Sequence, residues 1–130
     1  MKITINADGA SRGNPGQASI GATLKDENGR LIKAISERIG RATNNQAEYR
    51  AVIAALSAAA KMGADEVRVL LDSELVVKQV TGRYQVKNVG LKPLYDEVKR
   101  LQAGFKSFSI THVLRAKNSE ADALANQAFK

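Results

Sequence analysis

Polar and apolar residues alternate almost from the first position. "KITINAD" puts Ile3 and Ile5 on one face of a strand over residues 2–8, and the pattern stops on Asp8. Two further runs of strand formers follow, "ASIGATLK" (18–25) and "LIKAISER" (31–38). They are joined by "DENGR", whose Asn28-Gly29 pair is a hairpin-turn signal. The period then changes. Residues 45–61 predict a long alanine-rich helix with Val52, Leu56, Ala59 and Ala60 on or near one stripe. "EVRVLL" (66–71) is a nearly continuous apolar run, as in a strand covered on both faces. Helices are predicted over 73–81 and 91–102, the second with Pro93 in its first turn. "SFSITHVL" (107–114) is the last strand. "NSEADALANQAF" (118–129) is the last helix, with Asn118 or Ser119 as its N-cap.

Three hairpin-connected strands followed by helix, strand, helices, strand and helix predict an α/β sheet with an antiparallel edge and a parallel part. Right-handed crossovers then place helices on its faces. The 130 residues contain no repeat and no Pro/Ser-rich linker, so a single domain over 1–130 is expected. With no cysteine, disulfides and thiolate metal sites are excluded. "MKITINADG" lacks the apolar core of a signal peptide, and "AVIAALSAAA" is too short to span a bilayer, so the expected location is cytoplasmic, without membrane contact. The net charge of +7 adds a polyanionic partner to the picture, nucleic acid first. Aromatic residues are only 5%, too few for a base-stacking surface of the single-strand-binding kind.

The candidate chemistry lies in the acids. Ligand sites of open α/β sheets lie beyond the carboxyl ends of strands. Asp8 and Asp72 both end predicted strands. On parallel neighbouring strands, roughly 4.8 Å apart, two carboxylates there repel unless a cation or proton separates them. Glu48 borders the apolar stripe of the long helix, and Asp122 borders that of the last one. Each has an ordinary reading too: Asp8 begins a turn, Asp72 caps a helix, and Glu48 and Asp122 support first turns. Taken together, four oxygen donors with no cysteine and one histidine point to a hard ion, Mg²⁺ or Mn²⁺. A pair of such ions suits phosphodiester hydrolysis.

Four segments, "DGASRGNPG", "TNNQAEYRAVIAAL", "LDSELVVKQV" and "NSEADALAN", resemble the type 1 ribonucleases H in the same order along almost the whole chain. The resemblance implies a ribonuclease H-like fold, a five-stranded mixed sheet of order 3-2-1-4-5 with helices on both faces. It implies that the catalytic, metal-binding set is Asp8, Glu48, Asp72 and Asp122, holding two Mg²⁺ ions, with Mn²⁺ as an alternative. The implied reaction cuts the RNA strand of an RNA–DNA hybrid and leaves a 3′-hydroxyl and a 5′-phosphate. Ser11, Gly13 and Asn14 match positions that contact the RNA minor groove near its 2′-hydroxyls, the groups that tell RNA from DNA. Thr43 matches a DNA-phosphate position, and Asn44 and Asn45 match groove-reading positions; helix capping is the alternative role for these three.

Three departures stand out against the family. The loop "VLRAKNSEA" has no histidine where many bacterial relatives carry one, so Arg115 or Lys117 is the candidate substitute, and His112 on the last strand is read as structural. "TGRYQVKNVGLKP" is too short for the extra basic helix of some relatives, which leaves Lys78, Arg83, Lys87 and Lys92 as a smaller basic surface. No added hybrid-binding domain is expected, so affinity and processivity are expected to be modest, and no protein partner is implied. Two rival readings stay open at this level. One is a catalytically silent hybrid- or RNA-binding module. The other is a nuclease of the same fold that also cuts double-stranded RNA, since both substrates share an A-form minor groove.

Overall fold

A computed structural model describes residues 1–130. The elements run β1 (Lys2–Gly13), β2 (Gly16–Lys25), β3 (Leu31–Ala42), α1 (Asn44–Lys61), β4 (Glu66–Leu71), α2 (Glu74–Val80), α3 (Lys92–Ala103), β5 (Ser107–His112) and α4 (Ser119–Gln127). A single 3-10 turn, Arg115–Asn118, leads into α4. The strands form one sheet of order β3-β2-β1-β4-β5. β1, β2 and β3 pair antiparallel, and β4 and β5 add in parallel. No helix is long and apolar enough to cross a membrane.

The alternation in β1 buries Ile3 and Ile5 completely, together with Tyr49, Val52 and Leu56 of α1. Helices α1, α2 and α3 share this core, and Val98 anchors α3 in it. The helix α4 lies on the opposite face, over β2, β1 and β3.

Four expectations need correction. The first strand does not stop at Asp8. It continues to Gly13, because β2 pairs with it from Thr4 to Gly13. The segment that follows Asp8 is therefore ladder, not loop, and glycines and small polar residues are tolerated there by pairing on both sides of a tight Asn14-Pro15 turn. The third strand likewise extends to Ala42, opposite Gly16. The strand β4 is not covered on both faces: Val67, Val69 and Leu71 are buried, but Glu66 and Arg68 are exposed, since α4 sits over the other half of the sheet. Finally, Ala60 of α1 is exposed. Asn118 does stand at the N-cap of α4, as expected, but its side chain makes no capping hydrogen bond to that helix.

Candidate active site

Asp8 sits one residue beyond the last parallel rung, Ala7 with Leu71, while its other flank still pairs with Gly21 of β2. Where β4 stops, the sheet has a notch beside β1. Asp72 follows Leu71 directly and stands at the end of β4, half-buried. Alternation turns Asp8 to the same face as Asn6, toward α4, whereas Glu48 arrives from α1 on the opposite face. They meet around the end of β4. Carboxylate oxygens of Asp8, Glu48 and Asp72 all lie within 4.8 Å of one another.

Two glycines allow the helices to come this close. A Cβ on Gly9 would strike the backbone of Ala47 and Glu48, so only glycine lets α1 press against β1 there. The Gly9 amide donates to Glu48 Oε1, which fixes that carboxylate at the sheet edge. On the other face, a Cβ on Gly21 would strike Ala121 and Ala125 of α4. The same contact is locked by Ser19, whose hydroxyl donates to the Ala125 carbonyl at 2.5 Å. Ala121 and Ala125 thus seat α4 against the sheet, and Asp122, next to Ala121, borders the same hollow as Asp8. Its Oδ1 lies 3.6 Å from Arg115 Nη2.

The electrostatics are those of crowded anions. Asp8 is 7% exposed and Glu48 4%. Burial, reinforced by the neighbouring Glu48 and Asp72, pushes the Asp8 carboxyl up to about 10. Burial raises Glu48 to about 7, against the opposing pull of its hydrogen bonds with Asp8 and Gly9. Two buried carboxyls that resist ionisation, beside a third, form a set that a divalent cation would relieve. The donors are all oxygen, which fits a hard ion rather than zinc or copper.

The hollow over the acids has a volume of about 360 Å³, and Ala10 is the one hydrophobic residue in its lining. Of the sequence-predicted residues, Asp8, Glu48, Asp72, Asp122, Ser11, Asn44 and Arg115 line it. Gly13, Asn14, Thr43 and Asn45 do not; they form a shoulder at the start of α1. Thr43 caps that helix: its Oγ1 accepts from the Gln46 amide at 3.1 Å, and Gln46 Oε1 accepts from the Thr43 amide at 2.9 Å. Asn14 Oδ1 accepts from the Asn44 amide at 3.0 Å, tying the β1–β2 turn to the helix. Ser11 donates to the Ala42 carbonyl at 2.9 Å. Lys78 is engaged by Glu74, and Lys92 by Asp96 at 2.8 Å, whereas Arg83 and Lys87 are exposed without an ion pair. His112 is exposed at the end of β5, in a separate hollow with Glu74 and Arg83.

Sequence reasoning missed Ser73 and Asn126, both of which line the acidic hollow. Ser73 Oγ accepts from the Val76 amide at 3.3 Å and so caps α2. Asn126 was within reach of the helical period, since it stands one turn after Asp122.

A family model described as "Reverse transcriptase-like" matches residues 6–128. Ribonuclease HI of Halobacterium salinarum is 50% identical over 122 residues, 94% of this chain; the chain spans 61% of that relative's length. The crystal structure of RNase H1 from the same archaeon is matched with a TM-score of 0.97 at 47% identity, covering 99% of this chain and 98% of that one. The structure of LC11-RNase H1 in complex with an RNA/DNA hybrid is matched with a TM-score of 0.90 at 40% identity, over 97% of this chain and 95% of that one.

Proposed function

The chain belongs to the ribonuclease H family, and from that premise we propose that it is a metal-dependent endonuclease that hydrolyses the RNA strand of RNA–DNA hybrids. The observation that carries this reading is the trio of buried Asp8 and Glu48 with half-buried Asp72, their oxygens within 4.8 Å of one another. A pure binding module gains nothing from concentrated negative charge where phosphates must approach. A hydrolase gains a seat for cations. The hybrid bound by LC11-RNase H1, a relative at 40% identity, supports the choice of substrate.

In this proposal Asp8, Glu48, Asp72 and Asp122 hold two Mg²⁺ ions, with Mn²⁺ as a substitute. When bound, such ions supply Lewis-acid polarisation of the phosphate and lower the pKa of water. The protein's own residues do the positioning. Glu48 is oriented by the Gly9 amide, and Asp8 by a backbone paired on its β2 side. Ser11 and Asn44 border the hollow, and Gly13, Asn14, Thr43 and Asn45 form the adjoining shoulder along which the hybrid lies. There the RNA strand meets Ser11, Gly13 and Asn14, and Thr43 takes a DNA phosphate. Arg115 faces the hollow with a guanidinium suited to phosphate oxygens and stands where it can draw the cleaved phosphate away from Asp122.

The test is cleavage of end-labelled hybrid, RNA duplex and DNA duplex, each in Mg²⁺, Mn²⁺ and EDTA. The expected result is RNA-strand cleavage of the hybrid with 3′-hydroxyl ends, dependent on the ion and absent in EDTA. Binding of hybrid without cleavage in either ion would replace this reading with the silent module, and equal cleavage of the RNA duplex would widen the substrate class.

A further inference from the structure

Asn118 is 1% exposed, yet it is polar and lies between two elements that must not move relative to each other. Its Nδ2 donates to the Ala7 carbonyl at 2.8 Å, and its Oδ1 accepts from Asn6 Nδ2 at 3.0 Å. Ala7 is the last residue of β1 with a partner in β4, and Asp8 comes next. Asn118 is also the last residue of the 3-10 turn and immediately precedes α4. Four residues on stands Asp122, and residues four apart share one face of a helix. The side chain at 118 thus touches the backbone beside Asp8, while the one a turn later borders the hollow that holds Asp8.

We propose that Asn118 is a positioning residue for the acidic site, setting the separation of Asp8 and Asp122 by bridging β1 to the turn that launches α4. This rests on the reading of Asp8 and Asp122 as ion ligands. Where β4 ends, β1 has no neighbouring strand to hold it on that flank, and the Asn118 amide serves in place of the missing rung. Both halves of that amide are used, so the side chain has one orientation and transmits it. An alanine here removes the side-chain donor from the Ala7 carbonyl and the acceptor from the part-buried Asn6 amide, and so releases the N-terminal end of α4 from β1, while Ser19 still holds its C-terminal end. Groups that orient a metal ligand commonly change metal affinity by about ten- to a hundredfold when removed, and Asn118 does so through the Ala7 backbone next to Asp8.

The experiment measures Mn²⁺ affinity by electron paramagnetic resonance, with no substrate present, alongside kcat and KM on the hybrid and the melting temperature in EDTA. The proteins are the parent, Asn118→Ala, Asn118→Gln, Asp8→Asn and Val98→Ala. Val98→Ala loses core packing in α3, away from the acids, and reports what destabilisation alone does. Asn118→Ala is expected to bind Mn²⁺ about tenfold or more weakly and to lose kcat with KM little changed, whereas Val98→Ala keeps both. If Asn118→Ala does not hold its fold by circular dichroism, Asn118→Gln decides. It keeps the amide chemistry but sets it one methylene further out, so it should fold and still bind Mn²⁺ weakly. A folded Asn118 variant with parental Mn²⁺ affinity overturns the assignment while the acidic site stands. An Asp8→Asn variant with parental Mn²⁺ affinity sinks the acidic reading itself, and the assignment with it.

Discussion

At the scale of single residues, the unusual feature is that Asp8 and Glu48 are stable as acids rather than as anions. Their folded pKa values are raised, to about 10 and about 7. The fold therefore binds protons that the unfolded chain has released, and stability falls as pH rises. This contribution is complete below the unfolded carboxyl range near about 4, fades for Glu48 through about 7, and fades for Asp8 through about 10. In EDTA the melting temperature should thus decline from pH 5 to pH 9, and Asp8→Asn should flatten the decline and melt above the parent at pH 9. A melting temperature that climbs over that range contradicts the repulsive cluster. Asp72 was legible at a strand end, and Glu48 and Asp122 beside apolar stripes, whereas Asp8 lies inside β1, where only its pairing with β4 ends. The hydrogen bonds that orient them were not legible. The Gly9 amide on Glu48 and the Asn118 amide on Ala7 join residues 39 and 111 apart in sequence, and no local pattern encodes such pairings.

At the scale of elements, the site depends on how closely α1 and α4 approach the sheet. Gly9→Ala should push α1 off β1, because its Cβ meets the backbone of Ala47 and Glu48 and no flexible side chain can give way. We expect it to cost at least the about 1–3 kcal/mol typical of overpacking and to remove Glu48 from the acid cluster. Parental stability and turnover in Gly9→Ala would show that α1 has room to spare. The loop between β5 and α4 makes its own prediction: Arg115→Ala should lower kcat with a smaller effect on hybrid affinity, while His112→Ala leaves the pH–rate profile unchanged near neutrality. An Arg115→Ala variant with parental kcat would make that loop a passive connection. Element types and order were readable from hydrophobic period alone. What failed were the limits set by partners. β1 runs past Asp8 because β2 holds it, and Ala60 is exposed because it stands about 100° around the helix from Ala59, which is fully buried. "EVRVLL" reads as a nearly continuous apolar run covered on both faces, yet Glu66 and Arg68 alternate out to solvent, since α4 lies over β2, β1 and β3 instead.

At the scale of the whole molecule, a net charge of +7 is carried by a chain whose candidate site is acidic. If the chain binds a hybrid as proposed, the basic residues other than Arg115 hold its backbone around the hollow rather than in it, and hybrid binding should weaken steeply with salt. Lys87 is free and exposed, whereas Lys92 is already engaged by Asp96 at 2.8 Å. Lys87→Ala should reduce the log–log salt slope by about 0.9, and Lys92→Ala should reduce it by less; equal and negligible changes would place the grip elsewhere. The strand order follows from the family resemblance, while the notch at the end of β4 and the facing of α1 and α4 across it emerge only from the assembled sheet. That notch is the centre of the account, and one measurement addresses it most directly: RNA-strand cleavage of a labelled hybrid by the parent and by Asp8→Asn, side by side in Mg²⁺ and in EDTA. The parent should cut only with Mg²⁺, and Asp8→Asn, folded and at least as stable in EDTA, should not cut. Cleavage at the parental rate by folded Asp8→Asn would contradict the role of Asp8 as an ion ligand.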